Sequence, residues 1–211
     1  MRRFVRILGC FGVSVAAALP LAAQTPRQTA VLAGGCFWGI QNLFEHVTGV
    51  TRVVSGYSGG TAATASYDQV GGEATGHAES VEITFDPSVV SYETLLDVFF
   101  SVGHDPTQLD RQGPDDGPSY RSAIFYRNDE QRRVAQTVIA RLTAAHAYSR
   151  PIVTQVVPFT GFYRAEEYHQ DFAVHHPDYP YIVINDLPKV EHLREKFPRL
   201  YREAPVLTSS R

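Results

Sequence analysis

The junction at residues 29–47 constrains the fold more than any other stretch of the chain. A short, mostly apolar run, Thr29-Ala30-Val31-Leu32-Ala33, stops at Gly34-Gly35, as a buried strand does on reaching a tight turn. Beyond Cys36 the period changes. Apolar residues fall at Phe37, Ile40, Phe44 and Val47, the spacing of three and four that marks one helix face. A strand that feeds a helix through two glycines needs a sheet beside it and a core beneath it. The composition supplies that core: of 211 residues 44% are hydrophobic and only 19% charged, which excludes a disordered chain, collagen and a coiled coil.

The same reading extends along the chain. Residues 50–57 read as a second strand, followed by a loop rich in Gly, Ser, Thr and Ala over residues 58–76. Residues 79–85 alternate, with Val81, Ile83 and Phe85 on one face and Ser80, Glu82 and Thr84 on the other. Ser91 stands where a cap is needed for a helix carrying Tyr92, Leu95, Leu96, Phe99 and Phe100. A long loop at 103–119, rich in Asp, Gly and Pro, is of the kind that carries function. Strands are expected at 120–126 and 152–159, helices at 129–147 and 166–174, and a final helical stretch at 188–197. There is no repeat and no domain linker. The expected architecture is one α+β domain, a two-layer sandwich with helices packed on a mixed sheet.

The N-terminus follows another logic. Arg2, Arg3 and Arg6 precede an apolar stretch from Ile7 to Leu19; Pro20 interrupts it, and Leu21-Ala22-Ala23 supplies small residues before Gln24. That layout is a secretory signal cleaved after Ala23, leaving a domain at 24–211 in the periplasm or the medium. As a membrane anchor the stretch is too short and is broken by proline. A lipoprotein reading of Cys10 fails because its apolar region follows the cysteine instead of preceding it. Removing residues 1–23 takes away three arginines and no acid, so 16 bases face 22 acids and the charge goes from -3 to -6. No basic surplus points to nucleic acid.

Of two cysteines only Cys36 then remains, so no internal disulfide forms. It is either an inert buried thiol or a reactive one. Its place, at a glycine-lined turn into a helix, favours the second. Unpaired N–H groups and the helix dipole there should lower the thiol pKa below its usual value of about 8.5. The alternation in 79–85 also puts Glu79 on the face of Val81, Ile83 and Phe85. If that end of the strand is buried, desolvation raises the carboxyl pKa and makes it a proton donor; if it is exposed, Glu79 pairs with an arginine.

Gly35-Cys36-Phe37-Trp38-Gly39 resembles the signature of the A-type peptide methionine sulfoxide reductases. Thr75-Gly76-His77-Ala78-Glu79-Ser80-Val81 is similar to the family's second motif, and Gln112-Gly113 with Tyr120-Arg121-Ser122-Ala123-Ile124 to its third. The likeness runs in order from about Ala30 to about Pro198. It implies a ferredoxin-like core and the reduction of methionine S-sulfoxide, in proteins and as the free amino acid, as repair after oxidation. It makes Cys36 the nucleophile and Glu79 the acid, with Tyr67 and Tyr120 as hydrogen-bond donors to the sulfoxide oxygen. Phe37 and Trp38 would hold the S-methyl group, and Asp115, with Asp116 beside it, takes the loop acidic position that contacts substrate. The tail at 175–186 lacks the cysteines with which many members resolve a sulfenic acid, so the chain is similar to the one-cysteine members. Regeneration would then need no bound cofactor but an external thiol, from a thioredoxin-like or glutaredoxin-like protein or a small thiol. The expected partners are oxidised proteins or peptides and that reductant, with the enzyme a monomer and no metal.

Three other classes compete. A cysteine hydrolase would pair Cys36 with a histidine, but with eight histidines some pair is inevitable and no hydrolase string appears. A metal site at His169, His175 and His176 fits no standard zinc spacing. A binding module with a dead thiol at Cys36 would differ in its alkylation rate. The pairs Gly59-Gly60 and Gly71-Gly72 match no phosphate loop.

Overall fold

The computed structural model describes Met1 and residues 26–208. The leader expectation, its cleavage point and Cys10 lie outside the described residues. In chain order come β1 (Gln28–Gly34), α1 (Phe37–Glu45), β2 (Val50–Ser58), α2 (Tyr67–Val70), β3 (Ala78–Phe85) and α3 (Tyr92–Val98). A two-residue ribbon follows, β4 (Arg111–Gln112) with β5 (Asp115–Asp116). Then come β6 (Ser122–Tyr126), α4 (Asp129–Ala144), β7 (Gln155–Pro158), β8 (Phe162–Arg164), α5 (Phe172–His175) and α6 (Leu187–Lys196).

Six strands form one sheet in the order β7-β6-β1-β3-β2-β8. Its inner four, β6-β1-β3-β2, are antiparallel throughout and are threaded by α1 and α3, which is the ferredoxin-like arrangement. β7 joins β6 in parallel, the crossover being made by α4. The two-layer α+β expectation holds. The main core lies between sheet and helices: Leu32, Val53, Val81, Ile83 and Ile124 meet Phe37, Ile40, Phe44 and Leu96 there. Val31, Ala33 and Ala78 face a smaller cluster with Phe125 on the opposite side. Since β1 is buried on both faces, its sequence reads as a continuous apolar run and not as an alternation.

Helix ends follow their caps. Ser91 Oγ accepts from the Thr94 N–H and Asn128 accepts from Gln131 N–H, the first-turn bonds that start α3 and α4. The C-terminal carbonyls of α1 are met from far along the chain: Arg202 N–H donates to His46 O at 2.9 Å and Val206 N–H to Glu45 O at 3.0 Å.

Several expected elements differ. The 58–76 loop carries a 3₁₀ turn at Ala62–Thr64 and the helix α2. The 103–119 loop carries the β4–β5 ribbon. Tyr120 is not in a strand; it ends a 3₁₀ turn, Pro118–Tyr120, and β6 begins two residues later. The helix expected to run to 147 stops at Ala144, with His146 at φ 49°. The strand expected at 152–159 shortens to β7. The helix expected at 166–174 is broken into a 3₁₀ turn, Glu167–His169, and α5 by Asp171 at φ 52°. Gln170 explains that break. Its extended backbone lets its side-chain amide pair with Ser55 N–H and C=O of β2, both at 3.0 Å, as a strand would.

Candidate active site

β1 delivers Cys36 to the start of α1 through Gly34 and Gly35. Gly35 has φ +94°, and a Cβ there would lie 2.5 Å from Gln112 Cγ, so only glycine fits. Gln112 is pinned in turn, accepting from Asp105 N–H at 3.1 Å and donating to Asp105 O at 3.0 Å. Cys36 is the residue immediately before the first helical position, with φ -52° and ψ 123°. It is half-buried and lines a cleft of about 250 Å³ with His104, Gln112, Asp115, Tyr181 and Lys189.

Glu79 lies at the buried end of β3, only 4% exposed, and Oε2 accepts the Phe37 backbone N–H at 3.0 Å. The exposed, arginine-paired alternative is thereby excluded. Burial pushes its carboxyl up to about 8 against the opposing pull of that N–H, with Asp115, Glu73 and Asp186 adding to the rise. At neutral pH Glu79 therefore carries a proton.

The thiol corrects an expectation. Burial pushes Cys36 well above its usual pKa; the charges of Glu79 and Asp186 push the same way, and the Trp38 backbone N–H opposes them. The helix N-terminus is present as expected, but desolvation and nearby carboxyls outweigh it. Protonation of Glu79 removes the larger of those two charges, so acid and nucleophile are electrostatically linked.

The other sequence-derived residues converge on the same place. Tyr67 opens α2 and is 37% exposed; Tyr120 is half-buried. Burial raises both phenols above their usual range, Glu79 raises them further, and Cys36 and Asp115 act on each in the same direction. Both hydroxyls stay protonated and can donate. Two ties bring the second and third motifs together: Arg121 donates to His77 O and Gly76 O, each at 2.9 Å, and Glu73 accepts from Ser119 N–H and Oγ–H. Asp115 is half-buried and accepts from the Tyr181 hydroxyl. Trp38 stacks on Phe172 with centroids 3.9 Å apart and planes at 11°, and meets the edges of Tyr179 and Tyr181. Phe37 is 1% exposed and packs against Tyr57 and His169, so its ring belongs to the core as much as to the site.

The cysteine-hydrolase alternative loses its base. His104 shares the cleft with Cys36, but its Nδ1 lies 3.1 Å from Phe99 O and its Nε2 2.6 Å from Ser122 Oγ. Burial lowers it to about 4, so it is neutral, with both nitrogens engaged. His169 accepts the Trp38 indole N–H, and no group of three or more His, Cys, Asp or Glu among the described residues could hold a metal ion. Sequence reading had not found Phe172, Tyr179, Tyr181, Glu166 or Asp186 as neighbours of the site. Each arrives by a long-range contact that leaves no local pattern.

Comparison with known proteins agrees with this geometry. Residues 28–200 match the family described as peptide methionine sulfoxide reductase. The chain is 57% identical to peptide methionine sulfoxide reductase MsrA 2 of Mesorhizobium japonicum over 188 residues, 89% of this chain and 96% of that one. Among solved structures it resembles methionine sulfoxide reductase A of Corynebacterium diphtheriae, with TM-score 0.64 and 32% identity over 74% of this chain and 78% of that one. It also resembles reduced Mxr1 from Saccharomyces cerevisiae, with TM-score 0.66 and 30% identity over 72% of this chain and 87% of that one. With the strand–Gly–Cys–helix junction, the buried acid and these likenesses in agreement, the chain belongs to the A-type peptide methionine sulfoxide reductases, enzymes that return oxidised methionine to methionine.

Proposed function

We propose that the enzyme acts on methionine S-sulfoxide by direct attack of the Cys36 sulfur on the sulfoxide sulfur. The observation that carries this reading is Glu79, a buried carboxyl held at about 8 and bonded to the first N–H of the helix that Cys36 heads. A sulfoxide oxygen leaves only as it gains a proton, and a neutral acid beside the nucleophile supplies it. Tyr67 and Tyr120 donate to the same oxygen, Phe37 and Trp38 seat the S-methyl group, and Asp115, steadied by Tyr181, contacts the substrate.

The thiol and the sulfoxide become a sulfenic acid on Cys36 and a methionine thioether, the oxygen passing from one sulfur to the other. No second cysteine exists outside the leader, so two external thiols restore Cys36 and leave as a disulfide with one water. A thioredoxin-like or glutaredoxin-like protein or a small thiol fills that role, and free methionine sulfoxide competes with peptides for the pocket. We assign the work to the periplasm or the medium, on the secretory layout read in residues 1–23. The test is a racemic peptide sulfoxide mixture with excess dithiol: the S epimer should disappear while the R epimer persists. Equal loss of both epimers would overturn the reading.

A further inference from the structure

Glu73 lies outside the three motifs that carry the family likeness, and so does its partner Ser119. Yet the two join segments that bear the site. Glu73 follows α2, which Tyr67 opens, on the approach to β3 and Glu79. Ser119 is the residue before Tyr120 in the 3₁₀ turn Pro118–Tyr120. Glu73 Oε2 accepts the Ser119 backbone N–H at 2.8 Å, and Oε1 accepts its hydroxyl at 2.7 Å. One carboxylate thus takes both donors of one residue, a bidentate grip that fixes orientation as well as distance.

The backbone on both sides makes room for this grip. Glu73 sits at φ 61°, a left-handed conformation that favours glycine, although Gly71 and Gly72 stand immediately before it. The turn is entered through Gly117 at φ 131°, where a Cβ would lie 2.4 Å from Glu73 Cδ. Ser119 is 2% exposed, so its N–H and hydroxyl need a partner within the protein. A neutral acceptor would meet that need. A carboxylate also adds its charge to those that keep the Glu79 proton in place.

We infer that Glu73 is a positioning residue that grips Ser119 and so aims the Tyr120 hydroxyl at the departing sulfoxide oxygen. This rests on the reading of Tyr120 as a donor to that oxygen. Charge gathers on the oxygen as its bond to sulfur breaks, so a misaimed donor weakens the transition state more than the bound substrate. Loss of the grip therefore lowers the rate of the chemical step and leaves substrate binding nearly as it was.

The test is the first turnover without reductant, read as methionine released against time. In Glu73→Ala the rate at saturating methionine S-sulfoxide should fall about tenfold, with the half-saturating concentration within about twofold of the parent's. Tyr120→Phe should slow the parent protein but cost much less in Glu73→Ala, because a phenol no longer aimed has less to lose. Glu73→Gln can still accept the Ser119 N–H with its oxygen and donate to the hydroxyl from its nitrogen. It should recover most of the rate while the alkaline fall moves to lower pH, since the charge that favours protonated Glu79 is gone. Ser119→Ala removes only the hydroxyl half of the grip and should show the same coupling to Tyr120 at smaller size, which covers the case in which Glu73→Ala does not fold. An unchanged rate in both alanine variants, a loss that adds in full to that of Tyr120→Phe, or a glutamine variant as slow as the alanine one would overturn the inference. An unchanged rate in Tyr120→Phe alone would instead overturn the reading of Tyr120 itself.

Discussion

Burial of Glu79 has a consequence for stability that can be worked out and measured. Its carboxyl goes from an ordinary 4.5 up to about 8, so between those pH values the folded chain holds a proton that the unfolded chain has released. Stability therefore falls as pH rises through that window, and the loss is complete above the folded-state pKa. At about 1.36 kcal/mol per pKa unit, the effect between pH 5 and pH 8 is about 3 to 4 kcal/mol. Glu79→Gln keeps an acceptor for the Phe37 N–H but has no proton to lose. Urea unfolding of both proteins across pH 5–8 should show the variant gaining about 3 to 4 kcal/mol on its parent by the alkaline end, whatever it loses at pH 5. Glu45 and Asp186, whose carboxyls are also raised by burial, slope the same way in both proteins and cancel in the difference. The catalytic rate should drop roughly 10- to 10⁴-fold, and the fall in rate above about pH 8 should vanish with the acid. Parallel stability curves would mean that Glu79 is already ionised in the folded chain at pH 5, and its role as acid would fall with them.

Cys36→Ser should abolish turnover with the fold retained, and alkylation of the native thiol should be slow at pH 7 and climb steeply towards pH 10; a rate already level at pH 7 would contradict the raised pKa. Gly39→Ala puts a methyl carbon 2.0 Å from Asp186 Oδ1 and 2.9 Å from Lys189 Nζ, so unfolding should come about 1–3 kcal/mol sooner, and an unshifted urea midpoint would show that Asp186 swings clear. Without reductant, each enzyme should release one methionine and stop with a trappable sulfenic acid on Cys36; a mass spectrum with no trap adduct, no sulfinic acid and no linked dimer would exclude that cycle. Protein isolated from its own host should begin near Gln24, and an intact mass that retains residues 1–23 would exclude cleavage.

The parts of this fold legible in the sequence are those fixed by local period and capping. The β1–α1 junction, the alternation of β3 and the cap at Ser91 each depend on side chains a few residues apart. The parity of β3 also put Glu79 on the face of Val81, Ile83 and Phe85, because a strand cannot turn one residue over without turning its neighbours; that this end of the strand is buried is shown by the fold. Residues 166–174 misled for the opposite reason. Their helical spacing is overridden by Gln170, whose amide is claimed by β2 more than a hundred residues earlier in the chain. Tyr120 reads as strand by composition, yet Ser119 and Arg121 on either side are tied to residues 73–77 and hold it in a turn. The Cys36 pKa departs from the sequence expectation because the helix terminus is visible locally, whereas the burial that desolvates the thiol, and the carboxyls of Glu79 and Asp186 that face it, exist only in the fold.

The way α1 is finished says when this protein can become itself during synthesis. The helix that carries the nucleophile is encoded by residues 37–45, yet the donors for its last carbonyls belong to Arg202 and Val206. The strand beside β1 on one side, β6, is made some ninety residues after it. A chain leaving the ribosome thus shows its cysteine early and completes the helix that carries it about 160 residues later. Until that moment the thiol sits on an unfinished helix, and a chain stalled before residue 180 presents Cys36 without Tyr181 and Lys189, which line its cleft.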